Sequence, residues 1–142
     1  MVEKADRREG AKEATGMFED NKAFSGFAVD DIDAARDFYR KTLGIRVNDG
    51  EMGILELDLA GREAPVIVYP KPDHEPAGFT ILNFPVDDIE ATVARLRDRG
   101  VQFDRYEGTD LETDESGIFR GGGPLIAWFK DPAGNILSVI QD

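Results

Sequence analysis

The 142-residue chain has no cysteine and only one histidine. The first absence excludes disulfides, thiolate metal sites and a cysteine nucleophile. The second leaves almost no imidazole for metal binding or base catalysis. Cations are also scarce, with 17 Lys and Arg against 29 Asp and Glu and a net charge of −12. Nucleic-acid binding needs clustered Lys and Arg to neutralise phosphates, so this balance opposes it. No apolar run approaches the roughly 20 residues that cross a bilayer. The stretch MVEKADRREGAKEATGMFEDNK, charged every few residues, lacks the apolar centre of a secretory signal. The expectation is a cytoplasmic protein with neither nucleic-acid nor membrane partners.

What the chain does contain is a repetition. Val-Asp-Asp-Ile occurs at Val29–Ile32 and again at Val86–Ile89, 57 positions later. Each copy follows a strand-like run, AFSGFAV (23–29) or FTILNFPV (79–86), and opens a stretch with helical spacing. In the first helix Asp30 or Asp31 is the N-cap, Ile32, Ala35, Phe38 or Tyr39, and Leu43 form the apolar face, and Gly44 is the stop. In the second, Asp88 caps, Ile89, Val93 and Leu96 face inward, and Gly100 ends the helix. Three strands follow in each half: IRVND, GILELDLA and APVIVYP in the first, then VQFDRY, LIAWFK and ILSVIQ in the second. The turn DLAG (58–61) is answered by DPAG (131–134), and the proline-rich KPDHEPAG reads as the loop joining the halves.

This order predicts an α+β fold of two tandem βαβββ modules, about 23–72 and 78–141, within one domain spanning 23–142. Residues 1–22 read as a polar N-terminal arm. A half of this size closing its own core would be marginal, whereas two open sheets can bury each other's apolar faces. The modules are expected to form a curved, mostly antiparallel eight-stranded sheet around a cleft, and such concavities bind ligands. Residues 104–117 carry six acids against one arginine and read as a solvated loop. Asp110, Glu112 and Asp114 alternate like the start of a calcium loop, but Glu115 stands where the turn glycine belongs.

At both ends these residues resemble a known family. FSGFAVDDIDAARDFYRKTLGIRV is similar to the opening of a vicinal-oxygen-chelate module, the fold of glyoxalase I, bleomycin-resistance proteins and extradiol dioxygenases. IAWFKDPAGNILSVIQ resembles that family's ending, so the likeness spans roughly 23–141. It implies a cleft holding a divalent metal, with ligands at positions that fall here on Phe24, Ile81, Val68 (or Ile67) and Ser138. A shift of one residue offers Ser25, Thr80 or Leu82, and Leu137 or Val139. Zinc, nickel and iron favour imidazole and carboxylate, which none of these supplies; Ser138 would be a feeble ligand at best. His74 lies in the proline-rich loop, where a solvent-exposed position is expected. The reading is therefore a metal-free site without cofactor.

Apolar residues at the ligand positions turn a polar metal site into a surface suited to flat or hydrophobic molecules. The expected pocket comprises Phe24, Val68, Ile81, Asn83, Trp128 and Ser138. Trp128 would serve as an aromatic wall or as packing, and Asn83, two residues beyond Ile81, as a polar orienting group. Tyr69 and Tyr106 are possible hydrogen-bond donors, and Arg120, before the Gly121–Gly123 run, a possible clamp for an anion. Glu56, in mid-strand, is the one candidate catalytic base if burial raises its pKa. The leading expectation is a glyoxalase- or bleomycin-resistance-like protein that binds a small molecule, more binder than enzyme. The alternatives are a glyoxalase-type lyase or isomerase with an atypical site, and a regulatory or structural module. The resemblance also implies a homodimer.

Overall fold

A computed structural model describes residues 16–142. Most of the expected polar arm, residues 1–15, lies outside the described residues. The first half builds β1 (Gly26–Val29), α1 (Ile32–Asp37), β2 (Arg46–Asp49), β3 (Leu55–Asp58) and β4 (Val66–Pro70). The second builds β5 (Thr80–Pro85), α2 (Ile89–Asp98), β6 (Leu125–Lys130) and β7 (Ile136–Gln141). Both helices start as their sequences require. Asp31 accepts from the Ala34 N–H and Asp88 from the Ala91 N–H, each at 3.1 Å. Both end at a glycine with positive φ, +71° at Gly44 and +91° at Gly100. The first helix departs from a uniform α spacing: it widens into a π turn over Phe38–Thr42, closed by the Leu43 N–H on the Phe38 carbonyl at 3.0 Å.

The expected eight-stranded sheet is corrected to two sheets, of four strands in the order β1-β4-β3-β2 and of three in the order β5-β7-β6. The duplication survives, because β1 and β4 pair in parallel just as β5 and β7 do. Two physical causes account for the difference. First, VQFDRY does not form a strand. Phe103 makes a single bridge to Phe129 and the Asp104 N–H reaches the Trp128 carbonyl at 2.9 Å, but Tyr106 then adopts φ +51° and turns the chain away. Second, β1 and β5 do not join. The Ser25 carbonyl accepts from Ile67 of β4 and the Val29 carbonyl from Lys71 just after it, so Ala28 offers its carbonyl to the opposite edge, where the Asn135 side chain takes it at 2.9 Å.

One core serves both modules. Leu55, Leu57, Val66 and Val68 of the first sheet meet Ala127, Phe129, Leu137 and Val139 of the second, with Tyr39 of the π turn and Ile89 and Val93 of α2 filling between. A polar bolt crosses this apolar interior. The Tyr39 hydroxyl donates to Asp131 Oδ2 at 2.7 Å, while Asp131 Oδ1 accepts from the Ala133 and Asn135 N–H groups at 2.9 Å. Asn135 Nδ2 donates to Asp131 Oδ2 and to the Ala28 carbonyl, both at 2.9 Å. The DPAG turn of module two is thus fastened to the helix and the edge strand of module one. Among the described residues no helix is long and apolar enough to cross a membrane.

Candidate functional site

Because β1 and β5 remain separate edges, a cleft opens beside them under the connector that joins the modules. Its volume is about 710 Å³, within the range of small-molecule sites. Phe27 lines it from β1, Tyr69 from the end of β4, Phe79 from the connector, and Ile81 and Leu82 from β5. The polar lining comes from Arg62, the connector residues Lys71, Asp73, His74 and Glu75, and Asn135. The connector is held against the DPAG turn: Gly134, at φ +89°, lies so near Pro76 that a Cβ would come within 3.1 Å of Pro76 Cγ. Within the connector, the His74 N–H donates to the Lys71 carbonyl at 2.9 Å in a short turn.

The sequence-predicted pocket residues fall into three groups. Ile81 lines the cleft, at the point where a register shift between Thr80 and Leu82 interrupts the β5–β7 ladder. Asn83, Ser138 and Trp128 form a row across the second sheet, in register from β5 through β7 to β6. Within that row the Ser138 hydroxyl, fully buried, donates to Asn83 Oδ1 at 2.6 Å. Phe24 precedes β1 and is 63% exposed, whereas Val68 is wholly buried in the core; neither lines the cleft. The alternative position, Ile67, pairs with Gly26 and Glu56 on the opposite face of its sheet from Val68.

These placements bear on a metal. Two of the four implied ligand positions are core or cleft hydrocarbon, a third is an exposed phenyl ring, and the fourth hydroxyl is committed to Asn83. Among the described residues no three His, Cys, Asp or Glu side chains gather as a metal site would require. None of these four side chains is the imidazole or carboxylate that zinc, nickel and iron favour.

Trp128 is wrapped by its own chain. The Tyr106 ring meets it edge-on at 5.2 Å and the Phe119 ring lies tilted at 5.9 Å. Burial, then the charge of Asp104, raises the Tyr106 hydroxyl pKa above its ordinary value. The acidic stretch is folded rather than loose at its far end. Asp114 Oδ1 accepts from the Ser116 N–H, the Ser116 hydroxyl and the Ile118 N–H, and Arg120 Nε donates to Asp114 Oδ2 at 2.7 Å. Burial would raise the Asp114 pKa, but the bonds from Arg120, Ser116 and the Ile118 backbone outweigh it and hold the carboxyl well below its usual range. Arg120 also reaches Glu90 at 3.1 Å, so it clamps loop to helix within the protein. Glu56 is half-buried, paired in register with Asn48 and Ile67, and lies outside the cleft.

Local sequence patterns do not single out Arg62, Lys71 or His74 as cleft residues. His74, expected at the surface, is partly buried in the cleft wall, and its Nε2 is shielded without a hydrogen-bond partner among the described residues. The signal that could have found Arg62 is the second DxAG turn: its repeat register makes Arg62 the counterpart of Asn135.

Comparison with known proteins agrees with this architecture. The family model Glyoxalase/Bleomycin resistance protein/Dioxygenase superfamily matches residues 23–139. Among solved structures, the chain is similar to TnmS3, an antibiotic binding protein from Streptomyces sp. CB03234, with 27% identity and a TM-score of 0.58 over 84% of this chain and 94% of that one. A glyoxalase/bleomycin resistance protein from the same Streptomyces strain is also 27% identical, with a TM-score of 0.55 over 84% of this chain and 100% of its own. A superfamily member from Sphaerobacter thermophilus DSM 20745, at 23% identity and a TM-score of 0.58, covers 84% and 97% of the two chains and shares the fold. The search of curated proteins gave no match. With the family model covering both modules, this chain belongs to the Glyoxalase/Bleomycin resistance protein/Dioxygenase superfamily.

Proposed function

We propose that the protein binds a small, largely hydrophobic or aromatic molecule in the cleft beside β1 and β5, without a metal and without turning it over. The observation that carries this reading is the cleft itself: about 710 Å³, walled by Phe27, Tyr69, Phe79, Ile81 and Leu82. Burial of apolar ligand area there contributes roughly 25 cal/mol per Å². Similarity to an antibiotic binding protein supports a binder over an enzyme. Asn83, Ser138 and Trp128 serve as the scaffold that fixes β5, and with it Ile81, in the wall. Glu56 lies outside the cleft, which removes support from a lyase or isomerase using it as base.

In this reading two chains pair, covering apolar side chains such as Phe24 and Met52 that one chain leaves exposed. Light scattering on the purified protein reads the mass directly, and a 15.7 kDa species at micromolar concentration would rule out the dimer. A thermal-shift screen with polycyclic aromatic compounds and aromatic antibiotics tests the binding. A ligand at 100 times its Kd adds about 2.7 kcal/mol, a rise of roughly 5–10 °C in a chain of this size. A flat melting temperature across the panel would refute the proposal. Elemental analysis after dialysis tests the metal-free claim, which half an equivalent of zinc, nickel, manganese or iron would overturn.

A further inference from the structure

The cleft's charges are unevenly committed. Lys71 Nζ is held by Asp73 at 2.7 Å and also feels Glu75. Glu63, the acid next to Arg62 in sequence, is held by Lys22 at 3.3 Å. Arg62 itself has no carboxylate partner among the described residues, in a chain whose acids outnumber its cations 29 to 17. The duplication sharpens the point. Asn135, its counterpart after the second DxAG, also lines the cleft but directs its amide to Asp131 and the Ala28 carbonyl. Among the described residues nothing engages the Arg62 guanidinium fork at the same cleft. Also lining the cleft, His74 Nε2 is a buried polar atom lacking a partner among the described residues, an arrangement that a ligand or an ordered water would relieve.

From this we infer that the cleft selects a small aromatic or apolar acid, its carboxylate or sulfonate held by Arg62 and its body against Phe27, Phe79 and Ile81. The inference rests on the binding reading above and adds the charge of the ligand to it. A guanidinium offers two parallel N–H donors to such an anion, stronger than bonds between neutral partners. The chain's negative field repels anions at a distance, but beyond about 8–10 Å it is screened at physiological salt, so contact with Arg62 decides affinity.

Calorimetry with 2-naphthoate and its near-isosteric neutral analogue 2-naphthamide separates the two claims. The expected result is one-to-one binding of both, with the carboxylate tighter by about fivefold or more. Arg62→Gln, a change at an exposed side chain, should bring the two affinities together by weakening the carboxylate more than the amide. Equal affinities in the parent protein, a tighter amide, or a preference that persists in Arg62→Gln would overturn the acid inference while leaving the binding proposal standing. Absence of binding by both compounds would overturn the two together.

Discussion

The two DxAG turns occupy equivalent places in the repeat and do different things. Asp131, in module two, lies in the interior and accepts from Tyr39, Ala133 and Asn135, joining the modules. Asp58, in module one, is exposed and among the described residues meets only Arg46, at 3.4 Å. The helix residues differ to match, since Tyr39 of module one corresponds to Leu96 in module two. The outer sheet faces diverge as well. Module two folds residues 103–120 over Trp128, whereas Phe24, Met52, Tyr69 and Phe79, all before β5, stay exposed. Of two equivalent turns, one therefore fastens the modules together, while the other leaves Arg62 without a carboxylate partner among the described residues.

The most severe way to break this asymmetry is Asp131→Ala. It strands the buried Tyr39 hydroxyl and leaves the Asn135 amide only the Ala28 carbonyl, and should cost about 3–5 kcal/mol in urea unfolding. Asp58→Ala, its counterpart, removes one surface ion pair and should stay within about 0.5 kcal/mol. Equal losses at the two positions would show that the turns are not functionally divided. Next in size is Phe119→Ala, which takes away one of the two rings over Trp128 and should cost about 2–3 kcal/mol. It should also shift tryptophan emission to the red, and since Trp128 is the only tryptophan the signal has one source. Met52→Ala, at a residue 90% exposed on the other module, should leave both stability and emission unchanged.

An alkaline titration gives a smaller effect with a definite sign. Burial first, then the charge and hydrogen bond of Asp131, raises the Tyr39 pKa far above the ordinary phenol value. A group with a raised folded pKa contributes stability that is whole below its unfolded pKa and fades as pH climbs past it. Stability should therefore hold to about pH 10 and then fall as unfolded tyrosines ionise. In Tyr39→Phe the bolt is weaker by about 1–2 kcal/mol at neutral pH, but the alkaline fall should be shallower. Parallel pH profiles in urea for the two proteins would deny Tyr39 that role.

Much of the fold is legible in the sequence because its signals are local. Asp31 and Asp88 cap, Gly44 and Gly100 terminate, and the repeated Val-Asp-Asp-Ile sets the register that makes β1–β4 and β5–β7 equivalent. Residue patterns also assign Asn83, Ser138 and Trp128 to three strands, and the ladders between those strands align them in one row. The eighth strand was illegible because VQFDRY has strand composition, and only the left-handed turn at Tyr106, packed edge-on against Trp128 from another element, stops it. Val68 against Ile67 is a one-residue choice that flips a side chain to the other face, and periodicity offers no ruler in a run as uniformly apolar as VIV. The cleft was hidden for a different reason. It exists because Asn135, 107 residues away, takes the edge carbonyl of Ala28, and no local pattern reports such a contact.

The smallest effect expected is in the acid range and concerns the cover over Trp128. Asp114 is partly exposed and its carboxyl pKa is depressed by Arg120, Ser116 and the Ile118 N–H. A depressed folded pKa contributes stability that is present above the unfolded value and lost as pH falls toward the folded one. The loss therefore begins below about pH 4, where an unfolded aspartate takes up its proton. Protonation releases the turn at residues 114–118 and frees Arg120 from all but Glu90, so the Phe119 ring between them should loosen from Trp128. Tryptophan emission should move red in that range before the far-ultraviolet circular dichroism changes, because β6 and β7 beneath do not depend on Asp114. Asp114→Asn should show the red emission already at pH 7 and lose its pH dependence there. If emission and circular dichroism instead collapse together in both proteins, the cover is an integral part of module two's core rather than a layer laid over it.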